Sequence, residues 1–416
     1  MLRHERPRVV DCLLGLALIV TAVSPATAQV VCPLSAITDG FGFGSVVSID
    51  ASISADGTRV AFTSNSDHTG GNSDNNLEIF LWDNGVLVQI TDTLGPTQSS
   101  SPSISGDGSR IAFTSDADLT GGNADGSFEI FVWDGLFEQV TSSTTLSRAP
   151  VMSTDGSTVV FESQADFTGG NADGAPEIFA WNGITMTQIS DSPASPSFTP
   201  TVNADGSVIA FGSIGDLTGQ NADGSHEIFS WNAGVTTQIT DGLPGAFSRN
   251  PSLDATGARL AFTSDLDLVG SNPDFSTELF LLDGMTIRQL TDFVGLSGVA
   301  SVAISGDGSS IAFSSPADIT GGGTSGNTEL FLWRDDFISQ LTNSVAPAFF
   351  TEPTLDADGD TLATVGSTDG GSEIFVASCQ ASTAVQIPTT QPVGLSLLAL
   401  LLAVAGFKVL RSRTTG

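Results

Sequence analysis

Residues 50–64 read Asp50-Ala51-Ser52-Ile53-Ser54-Ala55-Asp56-Gly57-Thr58-Arg59-Val60-Ala61-Phe62-Thr63-Ser64, and residues 77–91 read Leu77-Glu78-Ile79-Phe80-Leu81-Trp82-Asp83-Asn84-Gly85-Val86-Leu87-Val88-Gln89-Ile90-Thr91. Short runs of β-branched and aromatic residues are strand signals. Asp56-Gly57 and Asp83-Asn84-Gly85 are hairpin turns, where Gly accepts a positive φ. The unit is therefore four short strands: Asp50–Ser54, Thr58–Ser64, Leu77–Trp82 and Val86–Thr91.

The same order recurs along the chain. The turn glycine returns as Gly108, Gly156, Gly206, Gly257, Gly308 and Gly359, at steps of 51, 48, 50, 51, 51 and 51 residues. Glu78 returns as Glu129, Glu177, Glu227, Glu278 and Glu329, with Glu373 after a shortened loop; Trp82, Trp133, Trp181, Trp231 and Trp333 stand four positions beyond their Glu. A linear solenoid would need capping repeats, and none is visible. Strands apolar on both faces need cover on both, which four-stranded blades stacked around an axis provide. A period near 50 suits such a blade with one long loop. The prediction is an all-β, seven-bladed propeller over residues 29–380. No sustained 3.6-residue period appears outside the two terminal segments, so no helix is expected between them.

Ring closure is also legible. The seventh unit ends at Glu373-Ile374-Phe375-Val376-Ala377-Ser378-Cys379 without a fourth strand, while Cys32-Pro33-Leu34-Ser35-Ala36-Ile37-Thr38-Asp39 aligns with a fourth strand and lacks a third. Aligned on the first unit, Cys379 and Cys32 fall on the hairpin positions Asn84 and Gly85. The N-terminal strand is expected to complete the last blade, with a Cys32–Cys379 disulfide in place of the missing turn. An oxidising compartment permits it.

Ser-x-Asp-Gly followed by Ile-Ala-Phe-Thr-Ser and Glu-Ile-Phe-(Leu/Val)-Trp resembles the WD40-like repeats of TolB-type propellers, over roughly residues 36–380. That resemblance implies the architecture. It leaves function open, because such propellers host both binding proteins and enzymes.

The ends read as addresses. Residues 1–28 have a basic front at Arg3, Arg6 and Arg8, an apolar stretch from Leu13 to Val20, and small residues at Ala26-Thr27-Ala28, the pattern of a cleaved secretory signal. Residues 381–392 form a linker with a sorting motif. Residues 393–413 are an apolar run with a basic end, long enough to read as a transmembrane helix. Ile387-Pro388-Thr389, Gly394-Leu395, the apolar run and the final arginines resemble the IPTL-CTERM class of sorting tails, related to the PEP-CTERM signals. Thr390-Gln391-Pro392-Val393 stand where that class carries Leu-Ser-Glu-Trp. The resemblance implies an exported protein of the periplasm, outer envelope or cell surface, anchored at least transiently by this tail, and an exosortase-type processing enzyme as a partner.

Charge narrows the partners. The chain carries a formal charge of −33. Within 29–386 there are seven Arg and no Lys against 44 acids, since only Glu5 and Asp11 lie outside, giving −37. Such a field repels nucleic acid and anionic lipid and attracts cations or basic partners. Three His, three Cys and no Tyr leave little for acid–base or thiol chemistry. No Gly-x-Ser-x-Gly or phosphate-binding Gly-x-x-x-x-Gly-Lys is present, and His68 and His226 lie in different repeats.

Two loop sets hold candidate function. Between the second and third strands runs Asp-x-Thr-Gly-Gly-Asn-x-Asp-Gly-x-x-Glu, clearest at Asp118, Asn123, Asp125 and Glu129 and repeated at Asn171, Asp173, Asn221 and Asp223. Its oxygens suit Ca²⁺, and equally suit Asx turns without metal. The loop from the fourth strand into the next blade varies instead, carrying Arg148, Phe198, Phe247 with Arg249, Phe293, and Phe349-Phe350. Aromatics and Arg on variable loops are what binding hot spots use. The function expected is a non-catalytic envelope scaffold that binds a protein or polysaccharide. A metal-dependent hydrolase or lyase, or a calcium-rigidified surface protein, is the alternative.

Overall fold

The computed structural model describes residues 30–38, 47–295, 298–319, 327–345, 348–368 and 371–381. The expected signal peptide and residues 382–416 lie outside them. Residues 30–380 form one compact unit.

Among the described residues, seven four-stranded sheets follow one another as antiparallel meanders. Blade one runs Ser48–Ile53, Arg59–Ser64, Glu78–Asp83 and Val86–Gln89. Its second and third strands are buried on both faces because neighbouring blades cover them. Seven apolar clusters lie between consecutive blades, from Ile79 against Ile111 and Phe131 between blades one and two, round to Ile374 against Val60 and Phe80 between blades seven and one. Each of the first six blades stacks a cross-strand Phe pair, Phe62 on Phe80 at 5.7 Å and its five counterparts at 5.4–6.1 Å, all fully buried. The Trp series packs between blades as well: Trp133 joins the cluster between blades one and two.

Backbone bonds lace the inner turns into a ring. Ala55 N donates to Gly106 O, Gly106 N to Thr154 O, Asp155 N to Ala204 O, Ala204 N to Ala255 O, Ala255 N to Gly306 O and Gly306 N to Asp356 O; Ala357 N returns to Ala55 O at 3.0 Å. This floor makes the solid a closed seven-membered wheel. It needs small residues: a Cβ on Gly106 would stand 2.3 Å from Thr154 Cγ2.

The repeated Glu is structural. Glu78 is fully buried, and its Oε1 accepts the Thr93 amide at 2.7 Å; Glu177, Glu227, Glu278 and Glu329 accept the corresponding amides at the same distance. Each carboxylate ties the start of the third strand to the chain leaving the fourth.

Blade seven is completed as expected. Phe350–Leu355, Thr361–Thr368 and Gly371–Ser378 take Leu34–Ala36 as fourth strand, in the register Leu34↔Ala377, Ser35↔Val376 and Ala36↔Phe375. Cys32 and Cys379 are disulfide-bonded across 347 residues of chain. The expectation of a transmembrane protein is corrected: no helix among the described residues is long and apolar enough to cross a membrane. The run 393–413 that prompted it lies outside those residues.

Candidate functional site

The first strand of each blade faces the axis, and its middle is where the repeats diverge. In six blades the pairing of this strand slips between its second and fifth residues, for example between Ile49 and Ser52. Blade six alone keeps an unbroken register. The same six strands place a non-glycine residue at positive φ: Asp50, Ser101, Ala149, Thr199, Asn250 and Glu352, between 47° and 55°. Left-handed backbone costs an ordinary residue about 1–2 kcal/mol. Bulges of this kind re-aim side chains beside functional sites. The next residue is Pro102, Pro150, Pro200, Pro251 or Pro353 in five blades; Pro lacks the N–H that a bulged position leaves unpaired.

These residues enclose an axial cavity of about 380 Å³. A second cavity of about 180 Å³ lies deeper, against the floor turns. Two carboxyls from adjacent blades meet at the upper one. Asp50 Oδ2 accepts the Ser101 amide at 3.2 Å and the Thr63 hydroxyl at 3.3 Å, while Asp50 N donates to Glu352 Oε2 at 3.4 Å. Burial pushes the Asp50 carboxyl above its usual range against those hydrogen bonds; burial, and then the neighbouring Asp50 charge, push Glu352 up.

The predicted rim residues divide into three groups. Phe198, Phe247 and Arg249 come together through His226: Phe198 and His226 lie 5.3 Å apart, His226 and Phe247 4.7 Å, and the Arg249 guanidinium sits 4.6 Å over the Phe247 ring. Phe198 fits there because blade four has Gly212 beneath it, where a Cβ would stand 2.4 Å from the ring. His226 is held below the usual imidazole range, first by burial and then by the Arg249 charge. Arg148 extends the arc toward blade three. Its Nε pairs with Glu162 Oε2 at 2.9 Å, and Glu162 Oε1 accepts the Thr199 amide of blade four at 2.7 Å.

Phe349 and Phe350 stand apart on blade seven; Phe349 is exposed, and Phe350 is half-buried edge-on to Phe375 at 5.5 Å. Phe293 is corrected. It is 6% exposed and packed in the core between blades five and six, drawn in because its amide donates to Glu278.

The Asp-rich loops spend most of their oxygens on nearby backbone and hydroxyls, although Asn171 Oδ1 and Glu129 Oε2 are buried without a hydrogen-bond partner among the described residues. Asp118 accepts the Asn123 amide at 2.9 Å, Asn123 Nδ2 donates to Ser127 O at 2.8 Å, and Asp125 accepts from Ser127. Glu129 accepts the Ser143 amide, and Asp173 the Ala194 amide at 2.6 Å. Asn171 and Asn221 cap their loops as Asn123 does, and Asp223 accepts from Ser225. Among the described residues, no group of three or more His, Cys, Asp or Glu is placed to hold a metal ion. Sequence reasoning missed Asp50, Glu352 and the bridging part of His226. The signal for Asp50 and Glu352 was the position that precedes the inner-strand proline in five blades and aligns with Asp50 in the first, which changes from blade to blade.

No protein-family model matches the chain, and neither does any curated protein. Solved structures do match. The propeller domain of the Trilobed protease from Pyrococcus furiosus, described as having an open velcro topology, is similar over 84% of this chain and 99% of its own, at 14% identity and a TM-score of 0.54. Oligogalacturonate lyase from Vibrio parahaemolyticus is similar over 85% and 98%, at 12% identity and 0.57. The acylaminoacyl peptidase of Pyrococcus horikoshii covers 82% of this chain with 53% of its own, at 15% identity and 0.52. At such identities the likeness is one of fold: the chain is a β-propeller, an architecture shared with enzymes.

Proposed function

We propose that the protein is a non-catalytic, exported scaffold of the bacterial envelope or surface that binds a protein or polysaccharide through the unrepeated rim of its propeller. One observation carries this reading. Features repeated in every blade are consumed in holding the wheel together, whereas the Phe198–His226–Phe247–Arg249 stack, half-buried at Phe198 and His226 and exposed at Phe247 and Arg249, occurs once among the described residues. In this reading residues 1–28 direct export, residues 387–413 are read by an exosortase-type enzyme, and the repeats are of the TolB type. The test is affinity capture from envelope extract with the full-length protein, in Ca²⁺ and in EDTA, beside a Phe247→Ala/Arg249→Gln double variant. A partner retained by the parent and lost by the folded variant supports the rim. Loss in EDTA would add a metal to the Asp-rich loops, and no partner for either protein would sink the scaffold reading.

The second reading, a hydrolase or lyase, draws on the Asp50–Glu352 pair in the axial cavity. Turnover of a polysaccharide that Asp50→Asn abolishes would establish it in place of the first.

A further inference from the structure

The seven Arg of residues 29–386 have different surroundings. Arg59, Arg148, Arg259, Arg288 and Arg334 each pair with a carboxylate, at 3.2, 2.9, 2.9, 2.6 and 2.9 Å. Arg110 donates to the Gly156 carbonyl of the next blade. Arg249 alone among them makes neither an ion pair nor a side-chain hydrogen bond among the described residues, although 44 acids share its segment.

It is nonetheless held in place. Its guanidinium lies on Phe247, whose amide donates to Asp265 Oδ1 at 2.8 Å and whose ring rests on His226. His226 is fixed in turn by Phe198 and by the Ser248 amide, which donates to its carbonyl at 2.8 Å. Stacking restricts the guanidinium, and its planar fork of donors matches a carboxylate in two parallel hydrogen bonds. Phe247 and Leu243, both exposed on the loop that leads into Arg249, are apolar.

Long-range charge then selects what carries the carboxylate. A polyanion such as a uronate polysaccharide brings a charge on every sugar and is repelled by a segment of net −37. A basic protein surface is attracted, and one acidic side chain within it satisfies Arg249. Resting on the scaffold reading above, we infer that Arg249, stacked on Phe247, is the docking point for a single carboxylate on a partner protein whose surrounding surface is basic.

The test uses two peptides on the full-length protein. One has Glu at its centre, Phe on either side and two Lys at each end; the other has Gln in place of Glu. The field of the protein alone favours the Gln peptide, which is one charge more positive, so preference for Glu reports the local contact. Expected is binding about tenfold or more tighter for the Glu peptide. Arg249→Gln abolishes that preference, Arg249→Lys restores only part of it, and thermal melting verifies that both variants fold. Equal affinities, no binding of either peptide, or a preference that survives Arg249→Gln overturns the inference. So does hexagalacturonate displacing the Glu peptide more strongly than unlabelled peptide does. A partner captured in the earlier experiment alongside equal peptide affinities would leave the scaffold reading standing and this inference refuted.

Discussion

The two ends of the inner strand obey different rules. At the floor, seven turns of nearly the same sequence pass backbone hydrogen bonds from blade to blade until Ala357 meets Ala55. At the mouth, the equivalent positions are Asp50, Ser101, Ala149, Thr199, Asn250, Ser301 and Glu352, six of them in left-handed backbone. A ring needs each copy to accept the next, so the floor tolerates little variation. The mouth is bridged instead by side chains that differ from blade to blade, Asp50 to the Ser101 amide, Glu162 to the Thr199 amide and Asn250 to the Ala300 carbonyl, so strain and variety collect there. Repetition marks what the wheel needs, and its absence marks where a ligand can be told from its competitors.

That contrast breaks most visibly at the seam. Replacing Cys32 and Cys379 together by Ala releases a loop of 347 residues and is expected to cost up to about 5 kcal/mol, roughly 7 °C in Tm. Blade seven would open first, read as early hydrogen exchange at Ala36 and Ile374. An unchanged Tm would mean that the floor ring closes the wheel without help. Next come substitutions in the floor. Gly106→Ala forces its Cβ against Thr154, and Arg334→Gln removes bonds to Ser310, Gly359 and Asp360; each is expected to cost about 1–3 kcal/mol in denaturant unfolding. Effects within error at both positions would deny the floor its role.

The fold was legible because its signals are periodic: turn glycines, the buried Glu and the apolar third strand recur seven times and reinforce one another. Even the closure could be read, since Cys32 and Cys379 fall on aligned hairpin positions. The site was only half legible. Phe247 and Arg249 stood out as an aromatic and a cation on a variable loop, but Phe293 sits at the position whose amide the repeated Glu holds and is buried there as Thr93 and Ser192 are, whereas Phe247 lies beyond that anchor. Asp50 and Glu352 lie 302 residues apart and meet only because the ring closes. No local pattern contains that contact.

A subtler effect appears at Glu177 of the repeated Glu series. Burial, outweighing the hydrogen bonds from Ser190 and Ser192, pushes Glu177 from 4.5 up to about 7. The folded state therefore holds this proton more tightly than the unfolded chain. The resulting stability is fully present below about pH 4.5 and is lost as pH rises toward 7. Asp356, pushed up to about 6 mainly by burial, contributes in the same direction. Glu177→Gln should gain Tm relative to the parent between pH 5 and pH 8, with the difference levelling off above 8. Parallel Tm profiles for the two proteins would refute the assignment.

The smallest expected effect is the most discriminating. Arg249→Gln loses one exposed cation–π contact and no ion pair, so its stability should stay within about 0.5–1 kcal/mol of the parent. Arg334, only 17% exposed and bonded to three groups of the floor, should cost clearly more when changed to the same residue. The two substitutions delete the same side chain from the same fold, so their difference measures what each end of the blade uses an arginine for. If Arg249→Gln unfolds the protein as readily as Arg334→Gln, the aromatic stack is a strut of the wheel, and the separation between a structural floor and a recognising rim fails at the position where it is most specific.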